Sequence, residues 1–404
     1  MRSGNMKQST YKICFLFPIM ILFLTGCWSS HEIEELGLTF AIGFDEGRET
    51  DLEKKFNKVG GNYPKKDRIT LTYQYVNPSA AGAQISGGSS SQKPYINVYE
   101  TGDSFQQMGS EVALRQDRPV FSSHLKVIVI AADLLHTYSL KELLDQSLRD
   151  NEIRLSTLVL VTRGRASDAL ELKDGAGKIP AFHLSRIIYN DFRAKKILPP
   201  ITLAKLPGMM NAGTSYLLQN IIGANGEIKY AGAVAINGKT NKLLGFLDEK
   251  DLDGIMWIKG QGVGGTVKNY DPKTKKLTAM AVDHLKSEIK PVVKGSRLSF
   301  RVNIESEAHL AENWNTTGAA IDKNYLKRKE ASASQTVKQL VEQITEKMQR
   351  EYKADLAGFG DEVRIQYPSL WRKLKKNWDE VFTVTPIQYD VNITIKEFGS
   401  QSRH

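Results

Sequence analysis

A chain of 404 residues with a net charge of +10 and 25% charged side chains is long enough for two or three hydrophobic cores and only moderately basic. Its two cysteines, Cys14 and Cys27, both fall at the N-terminus. That excludes a disulfide framework, a thiolate metal site and a cysteine nucleophile from everything downstream.

The N-terminus reads as a lipoprotein signal. Arg2, Lys7 and Lys12 form a positive n-region, and Ile13 to Leu24 form an apolar run broken only by Pro18, too short to span a bilayer comfortably. Leu24-Thr25-Gly26-Cys27 closes it with small residues before a thiol, the arrangement that lipid modification requires. Residues 1–26 are expected to be removed and Cys27 to carry acyl chains, palmitate-type, that hold an otherwise soluble protein at the membrane. Loss of Arg2, Lys7 and Lys12 takes the net charge from +10 to +7 and leaves 378 of the 404 residues. An exported protein meets no DNA, so Arg372-Lys373-Leu374-Lys375-Lys376 reads as a solvated helix face, with an anionic membrane surface or an acidic partner as the secondary reading.

Downstream, Leu38 to Phe44 reads as a buried strand ending at Asp45, and 46–68, charged and containing Gly60-Gly61, as an exposed insertion. Ile69 to Val76 alternates apolar and polar residues as a half-buried strand does, and Pro78 to Lys93 is a Gly/Ser/Ala-rich loop. Residues 103–116 have helical character, followed by a central strand at Leu125 to Ala131. Ser139-Leu140-Lys141-Glu142 is a capping box opening a helix with Leu140, Leu143, Leu144 and Leu148 on one stripe, and Ser156 to Val161 is the next strand.

Leu198-Pro199-Pro200 to Gly213 lacks periodicity and marks a domain boundary. Tyr230 to Ile236 and Leu243 to Leu247, joined at Asn237-Gly238-Lys239-Thr240-Asn241, read as a hairpin in a small middle domain. From Leu277 come further strands, including Leu298 to Ile304, then an amphipathic helix on Val337, Leu340, Val341, Ile344 and Met348, and a closing strand at Tyr389 to Phe398. The expected fold class is mixed α/β (α+β) in three dissimilar domains, each a β-sheet with packed helices: 27–200, an N-terminal α/β domain; 201–275, the small middle domain; and 276–404, a C-terminal α+β domain.

The chemical motifs fail on context. Gly260-Gln261-Gly262-Val263-Gly264-Gly265 satisfies G-x-G-x-x-G, but Thr266 to Pro272 reads as strand and turn where a nucleotide site needs a helix. His31-Glu32-Ile33-Glu34-Glu35 lacks the second histidine of a zincin. Ser123-His124-Leu125-Lys126 has the S-x-x-K spacing but runs into a strand, which puts serine and lysine on opposite faces. No catalytic residue, metal or cofactor is expected. Trp371 and Trp378, seven residues apart with Leu374 between, share a helix face and serve either the core or a partner interface.

Several segments together resemble the Ger(x)C family, the lipoprotein C subunits of bacterial spore nutrient germinant receptors. They are Gly26-Cys27-Trp28-Ser29-Ser30-His31-Glu32-Ile33, Ser122-Ser123-His124-Leu125-Lys126-Val127, Leu148-Arg149-Asp150-Asn151-Glu152-Ile153-Arg154, Gly232-Ala233-Val234-Ala235 with Leu243-Leu244-Gly245-Phe246-Leu247, and Ala357-Gly358-Phe359-Gly360 with Trp371, Trp378 and Phe382. Ser29 stands where the family commonly has the aspartate of Cys-Trp-Asp, a departure that leaves the anchoring chemistry intact. The resemblance implies a non-enzymatic subunit on the outer face of the cytoplasmic (spore inner) membrane, held with two integral membrane partner subunits. Nutrient-triggered germination is the implied process, with direct nutrient binding left open. A solute-binding lipoprotein of a transporter is the competing reading, and it predicts two similar lobes around a cleft.

Overall fold

The computed structural model describes residues 35–397 apart from 67, 79, 81–91, 173–177, 192, 193, 195, 262, 272, 273, 296 and 315–322. In chain order the first half comprises β1 (Gly37–Glu46), α1 (Asp51–Lys58), β2 (Ile69–Val76), β3 (Tyr95–Gly102), α2 (Phe105–Ala113), β4 (Val120–Phe121), β5 (Val127–Ala131), α3 (Leu134–Thr137), α4 (Leu140–Arg149), β6 (Leu158–Thr162), α5 (Ala166–Ala169), α6 (Pro180–Ile187), α7 (Leu206–Ala212), β7 (Tyr216–Ala224), β8 (Glu227–Ile236) and β9 (Leu243–Leu247). The second half comprises α8 (Glu249–Ile258), β10 (Thr266–Tyr270), β11 (Leu277–Lys294), β12 (Arg297–Asn313), α9 (Lys323–Lys347), α10 (Phe359–Gln366), α11 (Pro368–Leu374), α12 (Trp378–Val384) and β13 (Ile387–Glu397).

The architecture is mixed α+β, two sheets with packed helices. The first sheet has nine strands in the order β3-β2-β1-β5-β6-β7-β8-β9, with β4 beside β1; the second has the order β10-β11-β12-β13. β1, β5 and β6 are mutually parallel and carry apolar side chains on both faces, the signature of strands buried between helix layers. One face packs against the α4 stripe, where Leu140, Leu143 and Leu144 are at most 1% exposed; the other packs against α5 and α6. The Ser139–Glu142 capping box forms as expected, each side chain bonding the other's backbone amide.

Three expectations need correction. β2 is buried on both faces, because its polar face is sealed by hydrogen bonds: Gln74 donates to Leu170 O at 2.9 Å and accepts from Ala181 N at 3.1 Å. Alternation in sequence thus marks a face that is polar and satisfied, not one that is wet. The 46–68 insertion is largely exposed, as expected, but it carries a helix and edge contacts that the expectation did not include. Thr50 and Glu53 form a capping box on α1, Glu53 accepts from Thr101 N at 2.7 Å, and Lys65 donates to Thr101 O at 2.8 Å. These bonds cover the outer edge of β3, which would otherwise offer unpaired backbone groups to another strand. Third, 198–213 is packed into the first sheet's core: Val159 N donates to Ile201 O, Leu203 N to Thr157 O, and Leu203 and Leu206 are 0% exposed. The β8–β9 hairpin forms as read, but through β7 it extends the first sheet. Most of the Pro78–Lys93 loop lies outside the described residues.

In the second half, β11 and β12 form a long antiparallel ribbon and β13 pairs in parallel with β12. The connection to β13 runs through α9, whose Val337, Val341 and Ile344 are at most 1% exposed, with Met348 just beyond its end at 0%. This bears out the amphipathic stripe. α9 also closes the free edge of β13, since Ile393 N donates to Ser334 Oγ at 3.0 Å and Ile395 N to Glu330 Oε1 at 2.8 Å.

Candidate functional site

Two of the segments that carry the family resemblance, residues 232–235 with Leu243–Leu247 and residues 357–360 with Trp371, Trp378 and Phe382, lie at or beside the seam between the two halves. Gly232 in β8 adopts φ +69°, and a Cβ there would lie 2.1 Å from Leu247 O. Glycine alone lets β9 and the start of α8 return this closely. Gly245 leaves a flat seat for the Tyr352 ring, 2.6 Å from where a Cβ would stand, and Tyr352 Oη donates to Phe246 O at 2.7 Å. Lys347 places its ammonium 2.8 Å from both oxygens of Asp251, a hydrogen bond that raises the lysine pKa and ties α9 to α8.

The Ala357-Gly358-Phe359-Gly360 segment is organised by a residue the sequence reading passed over, Asp355, only 6% exposed. Its Oδ1 accepts from Ala357 N at 3.1 Å and Gly358 N at 2.8 Å; its Oδ2 accepts from Gly360 N at 2.6 Å and Trp378 Nε1 at 3.1 Å. One carboxylate therefore satisfies the amides at the start of α10 and the only polar atom of a buried indole. Gly358 has φ +92°, and at Gly360 a Cβ would lie 2.7 Å from Trp378 Nε1. The Asp-x-x-Gly-x-Gly spacing was the available signal.

Trp371 and Trp378 stack edge to face with centroids 5.3 Å apart, Trp378 at 3% exposure and Trp371 half-buried against it. They belong to the core. They lie on α11 and α12 rather than on one helix face, because a short 3-10 turn at Lys375–Asn377 separates them. Arg372, Lys373, Lys375 and Lys376 are exposed, as a solvated face requires.

Beside the Asp355 carboxylate, a groove of about 450 Å³ opens between the halves, lined by Pro199, Met209 and Tyr216 from one side and Lys259, Leu356 and Asp361 from the other. Gln261 also lines it, with an Oε1 that is buried and has no hydrogen-bond partner among the described residues. Asp355 offers this groove no free acceptor, as each of its oxygens already takes two hydrogen bonds. A second crevice of about 350 Å³ lies at the carboxyl ends of β1, β5 and β6, the usual ligand position in parallel sheets, among Asp45, Arg48, Asp133 and Arg165. Asp45 is committed there to Ala166 N at 2.6 Å and Ser167 N at 3.0 Å. Among the described residues neither brings a nucleophile and a base together.

Of the motifs weighed in the sequence, Cys27 and His31 to Glu34 lie outside the described residues. Thr266–Tyr270 is strand β10, so no helix follows the glycine run. Ser123 sits in a turn ahead of β5, and Lys126 spans Phe40 and the Phe182 ring instead of facing that serine. Among the described residues no three His, Cys, Asp or Glu side chains converge as a metal site, and no helix is long and apolar enough to cross a membrane.

A family model described as Spore germination B3/GerAC like, C-terminal, matches residues 231–399, and one described as Spore germination protein N-terminal domain matches 29–221. Spore germination protein YndF of Bacillus subtilis (strain 168) is 53% identical over 386 residues, 95% of each chain. Spore germination protein B3 of the same organism is 30% identical over 384 residues, 94% of this chain and 96% of that one. The crystal structure of the GerBC protein matches with a TM-score of 0.60 at 26% identity, covering 89% of this chain and 99% of that chain. Matched by spore germination proteins along nearly its whole length, the chain belongs to the Ger(x)C family.

Proposed function

We propose that this chain is the lipid-anchored, non-enzymatic subunit of a nutrient germinant receptor. It is held through Cys27 on the outer face of the spore inner membrane and works beside two integral membrane subunits. The observation that carries the reading is the end-to-end match to spore germination proteins, 95% of the chain at 53% identity in the case of YndF. The Leu24-Thr25-Gly26-Cys27 signal supplies the anchor, which buries methylenes at ~0.8 kcal/mol each and holds tightly when two or more chains are attached. Two unlike sheets joined along a packed seam do not form the paired lobes of a solute-binding protein, which disfavours the transporter reading.

The test is purification of the tagged full-length chain from spore membranes with identification of what comes with it. Two integral membrane proteins in stable proportion, and a mass for the N-terminal peptide showing acylated Cys27, are the expected results. Recovery with transporter permease and ATPase subunits instead would retire the receptor reading.

A further inference from the structure

At one end of the second sheet, Tyr270 is paired with Leu277, Thr278 with Asn313, and Trp314 N donates to Leu277 O at 3.0 Å. Directly paired residues on antiparallel strands share a face, so Tyr270, Leu277 and Trp314 stand in one row. Tyr270 is 63% and Trp314 61% exposed, whereas Trp257 and Trp378 are at most 3% exposed. The opposite face is closed by α9, where Tyr325 Oη donates to Asn313 Oδ1 at 3.0 Å. Around this end Lys268, Lys275, Lys323, Lys327 and Arg328 are exposed. Among the described residues the carboxylates there are Asp271, 3.8 Å from Lys329, Glu312, which accepts from Trp314 Nε1 at 3.3 Å, and Glu330, which accepts from Ile395 N at 2.8 Å. Aromatic rings with a polar edge, rimmed by an excess of cations, match the chemistry of a bilayer's headgroup layer.

Direction decides what this end can meet. α8 starts at Glu249, bridged to Lys229 near the end of the first sheet remote from the start of β1, and finishes at Lys259 beside Tyr216 on the side where β1 begins. α9 runs antiparallel to α8, with Lys347 on Asp251 and, further back along the helix, Thr336 on Asn269 of β10. Ser287 is bonded to Ile258 O at the end of α8, and from Ser287 to Leu277 the β11 strand spans about 33 Å. The aromatic row therefore projects on the side where the chain enters β1. The ten residues from Cys27 to Gly37 reach at most about 35 Å, so the acylated cysteine and the row can meet one plane.

We propose that the Tyr270–Leu277–Trp314 row and its cationic rim dock on an anionic bilayer surface, fixing how the protein stands on its membrane. The orientation argument rests on the anchor at Cys27; the chemistry of the row does not. In the test, full-length chain carrying a fluorophore at Thr274→Cys, or at Ala224→Cys on the remote end as a control, is reconstituted into vesicles with nitroxide-labelled lipid. The vesicles are phosphatidylcholine alone or mixed with phosphatidylglycerol, and flotation selects bound protein. Quenching at 274 that requires phosphatidylglycerol, with none at 224, is the expected result. Lys268→Gln with Lys275→Gln should weaken the contact ~25-fold, about fivefold per lysine. Tyr270→Ser with Trp314→Ser, both at exposed positions, should also abolish the quenching without unfolding the chain. Floated protein unquenched at 274, or quenched equally at both positions, overturns the proposal, while the mass of the Cys27 peptide reports the anchor separately. A label shielded in spore membranes but not in phosphatidylglycerol vesicles overturns it in favour of a protein partner.

Discussion

Replacing Asp355 by alanine should be among the most damaging single changes in the second half. The carboxylate accepts four hydrogen bonds, from three backbone amides and the Trp378 indole, at 2.6 to 3.1 Å. Hydrogen bonds to a charged acceptor contribute about 1.5–3 kcal/mol each, and a buried donor left unmade costs about 1–3 kcal/mol. Gly358 borders the groove and can recruit water there, but the Ala357 and Gly360 amides and the Trp378 indole are buried. Three stranded donors give a loss of at least about 3 kcal/mol, which for units of this size lowers the melting temperature by at least roughly 6 °C. Thermal unfolding followed by near-UV circular dichroism, which reads the Trp371–Trp378 pair, is the assay. A melting temperature within about 2 °C of the parent would refute the reasoning that one carboxylate organises this region.

Tyr352→Phe removes the hydroxyl bonded to Phe246 O and should cost about 1–2 kcal/mol in urea unfolding, whereas Gly245→Val should cost more by displacing the ring itself; equal effects would count against the seat. Burial raises the Asp379 carboxyl, so the folded state holds that proton longer than the unfolded chain and stability falls as pH rises from about 4 upward. Asp379→Asn should flatten that part of the stability–pH curve. Glu249 is shifted the other way, lowered by hydrogen bonds from Lys229 and Lys196, so its contribution is present above about 4.3 and is lost as pH falls through that range. Glu249→Gln should remove that share of the acid sensitivity, and an unchanged acid limb would contradict it. Cys27→Ala should release the chain from washed spore membranes.

What was legible in the sequence was local. The Ser139–Glu142 box, the Val337–Met348 stripe and the turn at Asn237–Asn241 each depend on residues within a few positions of one another, where spacing alone fixes the outcome. What was missed depends on partners far along the chain. Gln74 finds its acceptor at Leu170, Glu53 its donor at Thr101, and Lys347 its carboxylate at Asp251, separations of about a hundred residues or roughly half that. A polar residue whose partner is remote looks the same in sequence as one facing water. The segment 198–213 was misread for the same reason, since residues 201–204 complete their backbone hydrogen bonds against β6 and the chain just before it. The glycines at 232, 245, 358 and 360 were visible as part of a resemblance, and only the close approach of Leu247, Tyr352 and Trp378 gives them a physical reason.

The central claim, that this chain is a germinant receptor subunit, is tested most directly by germination itself. In a strain lacking its relatives, with the chain and its membrane partners restored together, spores are exposed to a panel of nutrients and ion release is followed with and without the chain. The account predicts loss of the response to some nutrient set when the chain alone is deleted, with vegetative growth and solute uptake unchanged. Normal germination combined with a growth defect on a single solute would contradict it.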